Sequence, residues 1–244
     1  MEYTLGKSES FMNLLTTLYS NTEYVTNLNV IKSRMRRVHS FICPQFDDIE
    51  AEIVCLLIMH SKPKKIYEFS PCGGWSSLYM LNTLDIMNLD NSKLVSFDLV
   101  DKCTENIKVF TVNNKFEFNL GNVEEKYASF IEDIDLDYLF IDSDHSENFT
   151  KKYIDKLLIP LLSKLRKINK KIFVSVHDVF NINHLPSEEG ILVIDFIEKN
   201  NIEYFSPVNY NHRIDIDIVR NNSSIDKGQV HYATTNPCIF FILE

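Results

Sequence analysis

Lys65-Ile-Tyr-Glu-Phe-Ser-Pro-Cys-Gly-Gly-Trp-Ser-Ser77 decides the fold. Ile66, Tyr67 and Phe69 read as an apolar strand carrying Glu68, Ser70 to Gly74 as a turn of small residues, and Trp75 as the start of a helix. Strand, tight turn and helix open a βαβ unit. Small side chains in the turn let a ligand approach the backbone, and the free N–H groups at the helix start face it. The dinucleotide pattern G-x-G-x-x-G fails here, with Ser70 and Cys72 at two of its positions and an extra Gly73. The pattern acidic, apolar, small, x, small, x, Gly is satisfied by Glu68 to Gly74. The competing reading is an ordinary βα turn.

The chain of 244 residues is compatible with one α/β domain over 45–244 and a helical N-terminal segment over 1–44. With 45% hydrophobic and 24% charged residues it has the composition of a globular protein. The longest apolar run, Ile53 to Met59, is too short to span a bilayer. The start MEYTLGKSES has neither a basic n-region nor an apolar h-region, so a cytoplasmic protein is expected. Five cysteines without metal-type spacing then read as reduced thiols. A net charge of −9 argues against a broad polyanion-binding surface. Lys32, Arg34, Arg36 and Arg37 form the one basic patch, and they spread around a helix, which suits a solvated face or an interface better than nucleic acid.

Phe11, Leu14, Leu15 and Leu18 recur at helical spacing, and Val25 to Val38 continues the helical pattern. These helices are expected over the cofactor mouth or at a contact between two copies. Asp47 caps an apolar helix that Pro63 ends. Further helices are expected from Trp75 to about Leu84, Lys102 to Asn113, Lys151 to Lys167, and from Ser187 as N-cap, where acids near the start suit the helix dipole. Strands are expected at Lys93 to Asp98, Phe116 to Phe118, Leu136 to Ile141, Ile172 to Val176 and Tyr204 to Pro207. Ile214 to Val219 and Cys238 to Leu243 read as a closing antiparallel pair.

Three strand ends carry chemistry. Asp98, 24 positions beyond Gly74, is placed to accept both ribose hydroxyls of a nucleotide, or else to cap a helix. Asp142 and His145 follow one strand, His177 and Asp178 the next. Neighbouring parallel strands would bring these four together, where two carboxylates and an imidazole can hold a hard or borderline divalent ion such as Mg²⁺. Such an ion lowers the pKa of a substrate hydroxyl, and a neutral histidine can take its proton. Each residue also has a plain alternative: Asp142 as a helix cap, His145 as a loop histidine, His177 and Asp178 as a metal-free hydrogen-bonded pair.

The stretch Glu68 to Gly74 resembles motif I of class I S-adenosylmethionine-dependent methyltransferases, and EFSPxxGWSS is similar to the small-molecule and sugar O-methyltransferases among them. The resemblance implies a Rossmann-like, doubly wound α/β sheet of seven strands, six parallel and one reversed near the C-terminus. It implies S-adenosylmethionine as cofactor, bound by Glu68, Ser70, Cys72, Gly73, Gly74, Ser76, Ser77, Asp98, Asn122 and Asp142, with Asn122 where the family often has an acid for the adenine amino group. The pattern D-x-x-H followed by acid-Asp is similar to metal-dependent O-methyltransferases acting on macrolide and other deoxysugars (macrocin and mycinamicin types). Carried over, His145 is the catalytic base, Asp142 acts with it, and Asp142, His177 and Asp178 are the metal set, with His177 where that family has an acid. The expected function is O-methylation of a small hydroxylated acceptor, a sugar or sugar nucleotide first. Two alternatives stay open: a non-catalytic relative that binds a partner, favoured by Ser70, Cys72, Asn122 and His177, and a nucleoside or RNA-cap methyltransferase. A nicotinamide oxidoreductase is disfavoured by the missing glycines.

Overall fold

The computed structural model describes residues 9–45, 47–111, 114–181, 185–207, 210–231 and 238–244, with backbone only over 210–212. Its centre is a seven-stranded sheet. β1 (Lys65–Phe69), β2 (Lys93–Asp98), β3 (Phe116–Leu120), β4 (Leu136–Ile141), β5 (Ile172–Val176), β6 (Tyr204–Phe205) and β7 (Ile239–Leu243) lie in the order β3-β2-β1-β4-β5-β7-β6. β1 to β5 pair parallel, and β7 runs antiparallel to both β5 and β6. The order reverses at β1, where β2 lies on one side and β4 on the other. In open α/β sheets ligands bind at such a switch point, outside the carboxyl ends of the strands.

Alternation along each strand sorts the core into two layers. Ile66, Phe173 and Phe240 face one side, while Tyr67, Phe69, Val174, Phe241 and Leu243 face the other. The first side is covered by α1 (Glu9–Ser20), α2 (Thr22–Val38), α3 (Asp48–Ser61), α4 (Trp75–Ile86) and α5 (Thr104–Phe110). The second is covered by α6 (Tyr127–Glu132), α7 (Glu147–Tyr153), α8 (Ile159–Ile168) and α9 (Glu188–Lys199). α10 (Tyr210–Asn222) returns to the first side, where Ile216 is buried.

Helix starts follow the capping chemistry read from sequence. Asp47 accepts from the N–H groups of Ile49 and Glu50, Glu50 reaches back to the N–H of Asp47, and the result is a full capping box. Ser187 accepts from the N–H of Gly190. The helix expected from Lys151 begins earlier, at Glu147 behind the Ser146 cap, and Ile154–Leu158 form a π-helical stretch between α7 and α8. α5 is shorter than expected, and its foreseen end at Asn113 lies outside the described residues.

The strand expected at Ile214 to Val219 is instead part of α10, and the antiparallel partners of β7 are β5 and β6. The run I-D-I-D-I alternates as a strand would, but its charges sit at helical spacing. Arg213 meets Asp217 one turn on, and Arg220 meets Asp217 from three positions beyond. Ile216 faces inward while Ile214 and Ile218 stay exposed.

The N-terminal helices share one core with the rest of the chain. Phe11, Leu15, Leu18, Leu28, Ile31 and Met35 enter the buried cluster that holds Ile53, Leu56 and Leu78. A buried polar knot joins them: Glu52 accepts Lys32 Nζ at 2.7 Å, Tyr19 Oη at 3.0 Å, and Arg220 through Nε at 2.7 Å and Nη2 at 3.0 Å. Four donors on one desolvated carboxylate satisfy it well, and losing one member of such a pair costs about 3–5 kcal/mol. The apolar stripes of α1 and α2 are thus used within the chain, and a contact between copies would need another face. No described helix is long and apolar enough to cross a membrane.

Candidate active site

The turn after β1 adopts the shape its spacing demands without the glycines. Ser70 and Cys72 take positive φ, 57° and 47°, and Gly74 takes 94°. Side chains with a Cβ occupy that region at a cost of about 1–2 kcal/mol. Ser70 is held there by its N–H to Phe97 O at 2.8 Å and its hydroxyl to Ser143 Oγ at 2.9 Å. The first turn of α4 has no side-chain cap, so its N–H groups open toward the loop.

Glu68 lies beneath this loop, fully buried. Its carboxylate accepts Ser76 Oγ, Ser77 Oγ at 2.7 Å and Ser96 Oγ, so strand β1, helix α4 and strand β2 are tied at one point. Burial raises its pKa, against the three hydroxyls, and the charge of Asp142 adds to the rise. Glu68, Ser76 and Ser77 therefore shape the loop from below.

A cavity of about 260 Å³ opens above the carboxyl ends of β1 to β4, lined by Ser70, Asp98, Gly121, Asn122, Ser143 and Asp144 among others. Asp98 Oδ1 accepts the N–H of Leu99 at 2.7 Å, so one carboxylate oxygen is used in the turn and Oδ2 stays available for a ribose diol. Asn122 Oδ1 accepts Glu124 N at 3.0 Å as the cap of a 3₁₀ turn over Val123–Lys126. Its carbonyl is thus already used, and its amide donors are what it can offer an adenine. The acids Asp98, Glu124 and Asp144 give the lining a negative character that suits a cationic sulfonium bearing an ammonium group. Of the motif residues, Ser70 lines this cavity, while Cys72 is exposed and Gly73 accepts Asn106 Nδ2 through its carbonyl.

The four residues after β4 and β5 converge, in an arrangement different from the one expected. Ligand atoms of Asp142, His145 and Asp178 all lie within 4.8 Å of one another. His145 Nε2 is 3.8 Å from Asp142 Oδ1 and 3.4 Å from Asp178 Oδ2. His177 is not in this group. It is buried behind it, with Nδ1 3.2 Å from both Asp142 Oδ1 and Asp178 Oδ1 and Nε2 3.9 Å from Glu50 Oε2. Burial alone would lower its pKa, but Asp142, Glu50 and Asp178 more than offset this and lift it to about 10. Asp142, His145 and Asp178 are thus a group whose ligand atoms could together hold an ion, and the expected ligand His177 lies outside it. Asp178 takes φ 59°, a backbone conformation uncommon for a residue with a side chain.

Glu189 was not singled out by sequence as a site residue. His145 Nδ1 is 2.7 Å from Glu189 Oε2, and Tyr153 Oη donates to Glu189 Oε1 at 2.7 Å. Burial would lower the pKa of His145, but the hydrogen bond and charge of Glu189, with Asp178 and Asp142, raise it. Glu189, 1% exposed, fixes Nδ1 as the protonated nitrogen and turns Nε2 toward the two aspartates. Gly190 lets the start of α9 pack against the segment after β5, because a Cβ there would lie 1.9 Å from Val179 O. A glycine in the first turn of a helix was the available signal. The two acids beside it were read only as partners of the helix dipole.

Below His177 sits a second group, Glu50, His177 and Cys238, all buried. Burial and Asp47 push the Glu50 carboxyl up to about 7, against the charge of His177. Glu50 also accepts the N–H groups of Cys238 and Asp47, so the start of α3 and the start of β7 are pinned under the site.

Switch-point cavity, motif turn and acid-rich strand ends define a class I methyltransferase fold, and solved structures share it. An O-methyltransferase from Bacillus cereus in complex with SAH is 11% identical, with 90% of this chain and 91% of that chain covered and a TM-score of 0.52. TomG of Streptomyces achromogenes, an O-methyltransferase involved in tomaymycin synthesis and solved with SAM, is 13% identical over 87% of this chain and 88% of its own, with a TM-score of 0.52. Cofactor-bound Rv0187 from MTB is 12% identical over 100% and 99%, with a TM-score of 0.53. No curated protein matches the sequence. Residues 71–179 match the family model described as a methyltransferase domain.

Proposed function

We propose that the protein transfers the methyl group of S-adenosylmethionine to a hydroxyl of a small acceptor, with a sugar or sugar nucleotide as the leading class. The observation that carries this reading is the pair His145–Glu189 at 2.7 Å, with the free face of His145 turned to Asp142 and Asp178 beside the cofactor cavity. A neutral alcohol is a weak nucleophile, so the protein must remove its proton and align it.

Bound in the 260 Å³ cavity and its surroundings, S-adenosylmethionine supplies an electrophilic methyl on sulfur. Asp98 would hold its ribose and Asn122 would meet its adenine, while Ser70 and Ser143 line the space between. His145 Nε2 takes the proton of the acceptor hydroxyl, while Nδ1–H stays on Glu189, whose charge stabilises the imidazolium that forms. Asp142 and Asp178 accept hydrogen bonds from neighbouring acceptor hydroxyls and orient the sugar. A divalent ion held by Asp142, Asp178 and His145 Nε2 would occupy the nitrogen that otherwise serves as base, and would itself lower the pKa of an acceptor hydroxyl.

The test is methyl transfer from isotopically labelled S-adenosylmethionine to a panel of sugars and sugar nucleotides, with and without chelator. A labelled acceptor whose formation falls about 10²–10⁴-fold in His145→Ala supports the assignment. Unchanged transfer in that variant removes His145 as base, and activity indifferent to chelation removes the ion. A protein that binds no S-adenosylmethionine by calorimetry is the non-catalytic relative.

A further inference from the structure

The basic run on α2 is divided among three tasks. Lys32 is buried on Glu52, and Arg36 pairs with Asp226 at 2.7 Å. Arg34 and Arg37, three positions apart on one face, instead line a cavity of about 480 Å³ between α2, α4 and α5. Its volume falls in the range of small-molecule sites, about 300–1,000 Å³. It shares no lining residue with the cofactor cavity.

The guanidinium of Arg34 is oriented by Asn82, whose Oδ1 accepts Nη1 at 3.0 Å and whose own Nδ2 donates to Leu78 O at 2.8 Å. Among the described residues, neither Arg34 nor Arg37 has a carboxylate within ion-pair distance. The one acid on the wall, Asp85, has Lys115 Nζ at 3.2 Å from its Oδ1. The lining thus sets Arg34 and Arg37 against Asp85, a surplus of one positive charge on a chain whose net charge is −9. At its rim Phe41 is 74% exposed, with its ring centroid 5.5 Å from that of the partly buried Phe110. Thr111 adds a buried hydroxyl oxygen with no hydrogen-bond partner among the described residues. Two guanidinium forks recognise phosphate oxygens bidentately, and open aromatic faces stack on a planar base.

We infer that this cavity is a second ligand site that binds a nucleotide, its phosphates on Arg34 and Arg37 and its base against Phe41 and Phe110. The site is separate from the one that performs methyl transfer and does not depend on the acceptor proposed above.

The test is calorimetric titration of the full-length protein with UDP, and separately with uridine and inorganic pyrophosphate. UDP should bind more tightly than either fragment. Arg34→Gln and Arg37→Gln should each weaken UDP and pyrophosphate about tenfold or more. Phe41→Ala should weaken UDP and leave pyrophosphate unchanged. Affinity for S-adenosylhomocysteine should be the same in every variant, and Arg37 and Phe41 are exposed, so those variants keep the fold. UDP binding that survives the double arginine change, that is lost in His145→Ala instead, or that is absent at millimolar concentration overturns the inference. Failure of S-adenosylhomocysteine to bind the wild type would overturn the methyltransferase reading and leave the UDP result to stand by itself.

Discussion

Replacing Glu189 by Gln keeps the volume and removes the charge that His145 meets at 2.7 Å. The carboxylate is 1% exposed, and Tyr153 occupies its other oxygen, so no water is positioned to replace it. A hydrogen bond to a charged group contributes about 1.5–3 kcal/mol. Because the imidazole becomes charged only as the acceptor loses its proton, that energy belongs to the transition state, and kcat should fall about 10–100-fold. KM for the acceptor and affinity for S-adenosylmethionine should hold, because neither ligand touches Glu189. The pH profile gives a second readout. A base must be unprotonated, so the wild-type rate falls as pH drops through the raised pKa of His145. Without the Glu189 charge that pKa decreases, and the acidic limb moves to lower pH. Glu189→Asp, which restores charge with a shorter reach, should recover part of the rate. A Gln variant with wild-type kcat and an unmoved acidic limb would refute the positioning role, as would one whose cofactor affinity collapses with its rate.

Cys72 sits at φ 47° with its side chain exposed, so Cys72→Gly should stabilise the fold by about 0.5–1 kcal/mol in urea unfolding, and a loss of stability would show the turn is not strained. His177 holds its proton in the folded state up to about pH 10, against 6.5 for a free histidine. Its contribution is complete below pH 6.5 and is lost as pH rises through about 10. Urea unfolding from pH 6 to 10 should therefore show a decline in wild type that is shallower in His177→Gln. Equal slopes would mean His177 is neutral in its buried place.

What could be read along the chain was local. Strand β1, its turn, the Asp47 cap and the carboxylates at strand ends are written within a dozen residues, where apolar period and capping chemistry act directly. The seven strands, with one reversed near the C-terminus, followed from the class that those residues suggest. The parts that escaped depend on distance in sequence. Glu189 meets His145 across 44 positions and Glu50 meets Cys238 across 188, and nothing near either residue announces its partner. His177 read as a ligand because it follows a strand. The carboxylates of Asp142, Glu50 and Asp178, which keep it protonated against its burial, are brought around it from α3 and two strand ends distant in sequence. At Ile214 to Val219 two periods competed, and the charged pairs one turn apart prevailed over the alternation of apolar residues.

Strand β7 is inserted between β5 and β6 and pairs with both. Without it β5 would present an open row of N–H and C=O groups, β6 would lose the strand it pairs with, and Glu50 would lose the Cys238 N–H that ties the α3 cap to the sheet. Every other described strand precedes β7 in sequence, so the growing chain carries that open edge until β7 is made. A chain cut before β7 would expose the edge, ready to pair with another copy.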